Sequence, residues 1–424
     1  MHKPNMITVE EALEKILGTV SVLQPEVKPI LDCLGQVLAE DVSAGLAIPP
    51  HDNSAMDGFA VLAEDTLAAS SGSPVYLDVI GEVAAGYTTK VRLARGKAVR
   101  IMTGAPLPAG ADAVVQFENT DETDRKNLQK PLDKIGITVP AERGLNVRLK
   151  GEDMQAGQVV LRKGSTLFPA DIGVLASLGR AQARVIRRPI VSVLSTGDEL
   201  CPAGQPLGPG QIYDSNTHTI AANIALCGGI ASIIGIGRDT LDSLQDKIKR
   251  GLDADMLITS GGVSKGDYDV VKDVLAKAGK ISFWTVRMKP GKPIAFGTLK
   301  APGGRDIPHL GLPGNPVSSM TTFERFARPA ILTMLGKTAL ARPSVRAVID
   351  HDIANDDGRR IYARVRVSRT AAGWMASLTG PQGSGILTSM SSANGLAVVP
   401  EDCPLARAGD AVEVQLLDNA GELI

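Results

Sequence analysis

Apolar residues recur along this chain in two rhythms, and the switches between them divide it. Near the start, Thr8 and Glu11 form a capping box. Val9, Ala12, Leu13, Ile16 and Leu17 share one face at helical spacing, so a helix over residues 9–19 is expected. Pro25 and Pro29 then break the chain, and residues 31–42 show no settled period. From Ala47 onward short β-type runs take over, at 75–83, 97–102, 113–117 and 135–139. Gly and Pro separate them, and together they read as a small β domain. The polar, aperiodic stretch 119–131 is expected to be an exposed loop. Residues 157–167 read as hairpin strands and 169–178 as a helix.

Between residues 188 and about 335 the two rhythms alternate regularly. Strand-like runs at 190–194, 230–236, 256–258, 281–288 and 293–298 are interleaved with helical spacing over 217–226, 241–252, 268–278 and 317–335. That alternation implies βαβ units and a mostly parallel sheet. After Pro343 the period returns to two, at 345–349, 360–367, 374–378, 396–399 and 412–416, which predicts a small C-terminal barrel or sandwich. The expected fold class is α/β plus β. At 424 residues the chain is long for one domain, and two to four are expected.

Composition narrows the function classes. Aromatics make up 3% of the chain, so the core must be aliphatic and base-stacking platforms are disfavoured. The net charge of −1, with no basic block, argues against nucleic-acid partners. Cys33, Cys201, Cys227 and Cys403 are scattered without a CxxC pair. They read as reduced packing residues rather than a zinc site or disulfide framework. No apolar run approaches the ~20 residues of a membrane span. The N-terminus lacks the apolar core of a signal peptide, so no membrane association and a cytoplasmic location are expected.

Chemistry concentrates at the ends of the strands between 188 and 335. The stretch 255–273 reads as strand, glycine turn (Ser260-Gly261-Gly262), a polar turn with Lys265, Asp267 and Asp269, then helix. Other runs end in Ser195-Thr196-Gly197-Asp198-Glu199, in Gly237-Arg238-Asp239, in Lys289-Pro290-Gly291-Lys292 and in Pro313-Gly314-Asn315-Pro316. Strand ends on one edge of a parallel sheet converge, so Glu199, Asp239, Asp267 and Asp269 could share a cleft with Lys265, Lys289 and Lys292. Carboxylates without histidine favour an oxygen-ligated Mg²⁺ over zinc, and lysines with glycine amides suit a phosphate or another oxyanion. Metal-assisted chemistry on a phosphorylated substrate follows. Taken singly, Asp198 or Asp267 reads equally well as a helix cap, and His51, His218 and His309 as structural residues. No Walker A loop or GxGxxG occurs, and no GxSxG or Ser/His/Asp arrangement stands out.

Several longer motifs carry a resemblance. PPHDNSAMDGFAV, RIMTGAPLPAGADAVV, VLSTGDEL, IYDSNTHTI, SGGVSKGDYDVVK, MKPGKPIAFG, GLPGNPVSS and SANGLAVVPE run in one order over nearly the whole chain. They resemble the MoeA-type molybdopterin molybdenumtransferases, the family that includes the E domain of gephyrin. That resemblance implies a four-domain, elongated protomer with a central three-layer α/β molybdopterin-binding domain, a small β domain and a C-terminal β barrel. The corresponding spans are 1–46 with 144–187 as a discontinuous linker and dimerisation domain, 47–143 as an inserted β domain, 188–336 and 337–424. It implies insertion of molybdate into adenylylated molybdopterin, with Mg²⁺-dependent hydrolysis of the adenylate and release of AMP. A homodimer with the active cleft shared between subunits is implied, as are contacts with other molybdenum-cofactor enzymes.

Carried over by motif, Asp239 and Asp269 are the preferred Mg²⁺ ligands, with Glu199 or Asp198 assisting. Asp57 and Thr103 would complete the catalytic site from the partner's β domain. Ser260, Gly261 and Gly262, continuing to Ser264, would cradle the pterin or its phosphate. Lys289 and Lys292 would bind oxyanion or phosphate, and Pro313, Asn315 and Pro316 would shape the wall. Lys265 departs from the family pattern, which has valine there, and adds a charge beside the anion site; Phe59 stands for a common tyrosine. A related adenylyltransferase and a scaffold that binds a peptide without turnover are the rival readings. Molybdate and tungstate both stay open as the oxyanion.

Overall fold

The computed structural model describes residues 6–124, 133–263 and 270–418. By its contacts the chain divides into two compact units. One comprises residues 1–28, 33–39 and 184–424, the other 29–32 and 40–183.

The first helix, Val9–Leu17, begins at the expected capping box. Thr8 Oγ1 accepts from the Glu11 N–H at 3.1 Å, and the Glu11 carboxylate accepts from the Thr8 N–H at 2.8 Å. Its apolar face, Val9, Ala12 and Ile16, is buried in the core of the α/β sheet. That sheet has six strands in the spatial order Ile230–Gly237, Ile190–Thr196, Met256–Ser260, Asp306–Leu312, Pro293–Lys300 and Gly279–Thr285. The first four are mutually parallel; Pro293–Lys300 runs against them, and Gly279–Thr285, paired antiparallel to it, runs in their direction again. The chain leaves Ile190–Thr196 toward one side, then returns past it to the other, so the strand order reverses between Ile190–Thr196 and Met256–Ser260.

The crossovers distribute the helices over both faces of the sheet. Ile220 and Ile224 of the helix Asn216–Cys227 join one core with Phe323, Phe326 and Ile331. Leu244 and Ile248 of Leu241–Gly251 join a second core with Val274 and Leu275 of Val270–Ala278. Three layers result. No helix among the described residues is long and apolar enough to cross a membrane.

Four details differ from the expected elements. The strand Asp306–Leu312 lies at the centre of the sheet, although only an apolar run ahead of Pro313 is legible there. The run 281–288 splits into Gly279–Thr285 and the short Met288–Lys289. The helix expected over 317–335 is Pro316–Thr322, a π turn Phe323–Ala327, and Arg328–Met334. Pro329 has no N–H to return to the preceding turn, and the widened turn absorbs that loss. Residues 157–167 form no hairpin; Val159–Leu161 pairs instead with Val42–Ser43.

The C-terminal strands close into a barrel. Arg360–Thr370, Gly373–Leu378, Ser344–Ile349, Ala411–Leu416 and Gly395–Val399 pair in that order, and the last returns to the first. In the other unit a five-stranded sheet runs Ala113–Gln116, Gly58–Val61, Lys97–Ile101, Val75–Val83 and Lys134–Ile137. The stretch after it is less exposed than expected: Thr120 is buried and the Glu122 carboxylate pairs with Arg100. Trp284 packs against Phe296 in the α/β sheet, and Trp374 of the barrel lies under the Arg369 guanidinium.

Cys33, Cys201 and Cys227 are buried free thiols, and Cys403 is half-buried. His309 is fully buried on the central strand, its Nε2 3.0 Å from Thr259 Oγ1. Burial pushes its pKa down to about 3, so the native state holds it neutral. An unfolded chain takes up a proton there below about 6.5. This contribution to stability is therefore complete above pH 6.5 and falls as the pH drops toward 3, by up to roughly 1.4 kcal/mol per pH unit. His309→Gln is expected to flatten that acid limb in urea unfolding measured between pH 7 and 4, relative to wild type.

Candidate functional site

Parallel strands present all their carboxyl ends at one edge, and the reversal of strand order opens a gap there. A cavity of about 570 Å³ occupies that position. Thr196 and Gly197 come from one side of the reversal, Ser260 and Gly261 from the other. The strand after the reversal adds Pro313, Gly314 and Asn315, and the neighbouring turn adds Asp239. Pro293–Lys300 runs antiparallel, so it is its first residue, Pro293, that reaches this edge.

The turns are tied to one another. Gly261 donates its N–H to Leu312 O at 3.0 Å, and a Cβ at Gly261 would stand 2.7 Å from Thr196 O. With φ at +96°, only glycine lets these two turns approach so closely. Asn216, at the start of its helix, donates through Nδ2 to Ser260 Oγ (2.8 Å) and to Gly314 O (2.7 Å). A carbonyl can only accept, so these bonds fix the amide's orientation and leave Oδ1 buried without a partner among the described residues. Beneath it, Asp214 accepts from Ser195 Oγ (3.0 Å), Thr217 Oγ1 (2.6 Å) and the Thr217 N–H (3.0 Å). That network anchors the helix start to the strand end.

Glu199 and Asp239 are exposed on the cavity wall. The Glu199 carboxylate folds back over Gly197, where a Cβ would fall 2.3 Å from Oε2. Asp198 caps no helix; its Oδ1 accepts from the Asp239 N–H at 3.3 Å. Among the described residues the lining contains no histidine, cysteine or aromatic ring. Among the described residues no group of three or more His, Cys, Asp and Glu gathers to hold a metal. The donor chemistry at the wall is all oxygen, which fits a hard divalent cation that keeps most of its ligands as water and substrate.

Of the residues expected at the site, the structure gathers Glu199, Asp239, Ser260, Gly261, Gly262, Pro313 and Asn315 around one cavity. Pro316 follows as the first residue of a helix and does not line it. Lys289 and Lys292 are absent from the lining as well. Lys289 sits on the short strand paired with Arg360 and Ile361, its Nζ 4.0 Å from Asp357 Oδ2. Ser264, Lys265, Asp267 and Asp269 lie outside the described residues. Asp57 and Thr103 belong to the other unit, where Asp57 Oδ1 accepts from both the N–H and the hydroxyl of Thr103 at 2.7 Å. These bonds hold the Asp57 carboxyl below its usual range. Thr196, Asn216 and Ser318 line the cavity without having been singled out in the sequence; for Asn216 the signal was present in the IYDSNTHTI motif.

A three-layer α/β domain with a polar cleft at its strand-order reversal, joined to β modules, is the class this architecture defines. Three family models cover the chain: MoeA N-terminal region (domain I and II) over residues 7–179, probable molybdopterin binding domain over 192–333, and MoeA C-terminal region (domain IV) over 346–417. The chain belongs to the MoeA family. Molybdopterin molybdenumtransferase 2 of Mycobacterium tuberculosis is 38% identical over 416 residues, which is 96% of this chain and 99% of that protein. The molybdopterin molybdenumtransferase of Staphylococcus aureus is 33% identical over 421 residues, 99% of this chain and 97% of its own length. A solved molybdopterin biosynthesis MoeA protein from Pyrococcus horikoshii matches with a TM-score of 0.80 at 35% identity, covering 97% of this chain and 99% of that one.

Gly197 gives the site a direct test. At φ +143° a side chain is strained, and its Cβ would meet the Glu199 carboxylate. Gly197→Ala is expected to cost about 1–3 kcal/mol in urea denaturation and to turn Glu199 off the wall in a crystal structure of the variant. An unmoved Glu199 would contradict the packing described.

Proposed function

We propose that this chain is a molybdopterin molybdenumtransferase, acting in molybdenum cofactor biosynthesis. Its substrates are molybdate and adenylylated molybdopterin. The dithiolene takes up the metal, water cleaves the adenylate, and AMP leaves. The observation that carries this reading is the meeting of Glu199 and Asp239 with the Ser260–Gly262 turn around one cavity, in a chain whose near-full-length relatives bear that name. Glycine at positions 261 and 262 lets a phosphate approach the backbone of this turn closely. Bound between Glu199 and Asp239, with Asp269 as a third ligand inferred from the motif, Mg²⁺ would offset the charge of the adenylate phosphates. Asp239 and Glu199 would hold that ion, Asn216 braces the turns around it, and Pro313 and Asn315 close one wall. Lys289 and Lys292 lie off the cavity wall, and their charge would act on the incoming oxyanion only at longer range.

The domain spans 1–46 with 144–187, 47–143, 188–336 and 337–424, and a cytoplasmic location, belong to the same proposal. So do product transfer to other molybdenum-cofactor enzymes and a homodimer in which Asp57 and Thr103 of the partner subunit complete the cleft.

Incubation with adenylylated molybdopterin, Mg²⁺ and molybdate is expected to release AMP with incorporation of metal. Asp239→Asn and Glu199→Gln are each expected to lower kcat/KM on the order of 10²-fold. Full turnover by both would remove the metal assignment. Mixing Asp57→Asn with Asp239→Asn protein distinguishes a shared site from a self-contained one. In a dimer with shared sites each mixed pair keeps one intact cleft, so turnover is expected to return. A sedimenting monomer, or no recovery on mixing, would overturn the shared cleft.

A further inference from the structure

The two wall carboxylates come from different strands, and one side chain joins their turns. Arg238 follows the last residue of Ile230–Gly237 and immediately precedes Asp239. Its Nη1 donates to Asp198 O and Leu200 O at 3.0 Å each and reaches Gly197 O at 3.4 Å. The carbonyls on both sides of Glu199 are therefore held by one guanidinium. Contact returns in the other direction, since Asp198 Oδ1 accepts from the Asp239 N–H at 3.3 Å. The backbone of Arg238 is itself held, its N–H donating to Ser243 Oγ at 3.0 Å and its carbonyl accepting from the Thr240 N–H at 2.7 Å. Glu199 O accepts from the Ile212 N–H at 2.8 Å, which pins the same turn from its far side.

We propose that Arg238 is a positioning residue whose guanidinium clasps the Gly197–Leu200 turn and so fixes Glu199 relative to Asp239 for a divalent cation. This rests on the metal reading given above. The three Nη1 contacts go to backbone carbonyls, so the clasp fixes backbone without using a carboxylate that a cation needs. All three contacts are made by one nitrogen, Nη1, and a lysine side chain ends one atom short of it, so an ammonium reaches these carbonyls less fully. Outer partners of this kind govern how well the ligands are oriented, and their loss ordinarily weakens metal binding without removing a ligand.

The test is Mn²⁺ titration of the full chain, followed by electron paramagnetic resonance of the free ion, for wild type, Arg238→Ala, Arg238→Lys and Asp239→Asn. Circular dichroism establishes that each variant is folded. Arg238→Ala is expected to weaken Mn²⁺ binding by about 10- to 100-fold, and Arg238→Lys by less. A folded Arg238→Ala that binds Mn²⁺ as wild type does would overturn the clasp. Where Arg238→Ala does not fold, Arg238→Lys decides, and wild-type affinity in that variant overturns the proposal equally. Failure of the underlying metal reading has a different signature: wild type binds no Mn²⁺, or Asp239→Asn binds it unchanged.

Discussion

A parallel sheet whose strand order reverses cannot fill the space at the reversal with its own connections, because the two crossovers leave in opposite directions. Everything chemical in the α/β unit follows from that gap between Ile190–Thr196 and Met256–Ser260. The helices fall on opposite faces, the turns that begin them face each other, and a cavity remains where they do not meet. Pro293–Lys300, the strand that runs against the parallel set, brings its own start, Pro293, to the same edge.

Holding such a gap open requires that the turns brace one another without filling it. Glycine does this by removing a side chain where Gly261 meets Thr196 O. Polar side chains do it by reaching across: Asn216 to two separate turns, Asp214 to a strand end and a helix start. Each bond is nearly shielded from water, where a satisfied network is stiff and an unsatisfied atom is costly. Among the described residues of this network, Asn216 Oδ1 is left buried and unpaired. The barrel and the five-stranded sheet each carry their own core.

Much of the fold was legible because period two and period 3.6 alternate cleanly from residue 190 onward, and the closed barrel after Pro343 was one of two expected forms. The central strand Asp306–Leu312 was harder to read. Pro308 and His309 interrupt its apolar run, and proline argues against a central strand. It survives because Pro308 pairs with Thr298 near the strand's start, while burial keeps His309 neutral. The Val159–Leu161 pairing was invisible because its partner lies more than a hundred residues earlier, at Val42–Ser43. At the site, glycines and carboxylates at strand ends announced themselves by position. Arg238, Asp214 and Ser195 did not, since each acts through contacts that only the folded chain brings together. Lys289 is the opposite case: its charge suggested the cleft, yet its pairing draws it toward Asp357.

Both tryptophans, Trp284 and Trp374, lie in the unit that contains the sheet and barrel. The unit formed by residues 29–32 and 40–183 has none. Indole emission therefore follows the loss of structure in one half of the protein and is blind to the other. If the halves melt separately, fluorescence and far-ultraviolet circular dichroism will give transitions that do not coincide, and no single unfolding free energy will describe the chain. The same distribution keeps both indoles away from the cavity, whose lining includes neither Trp284 nor Trp374.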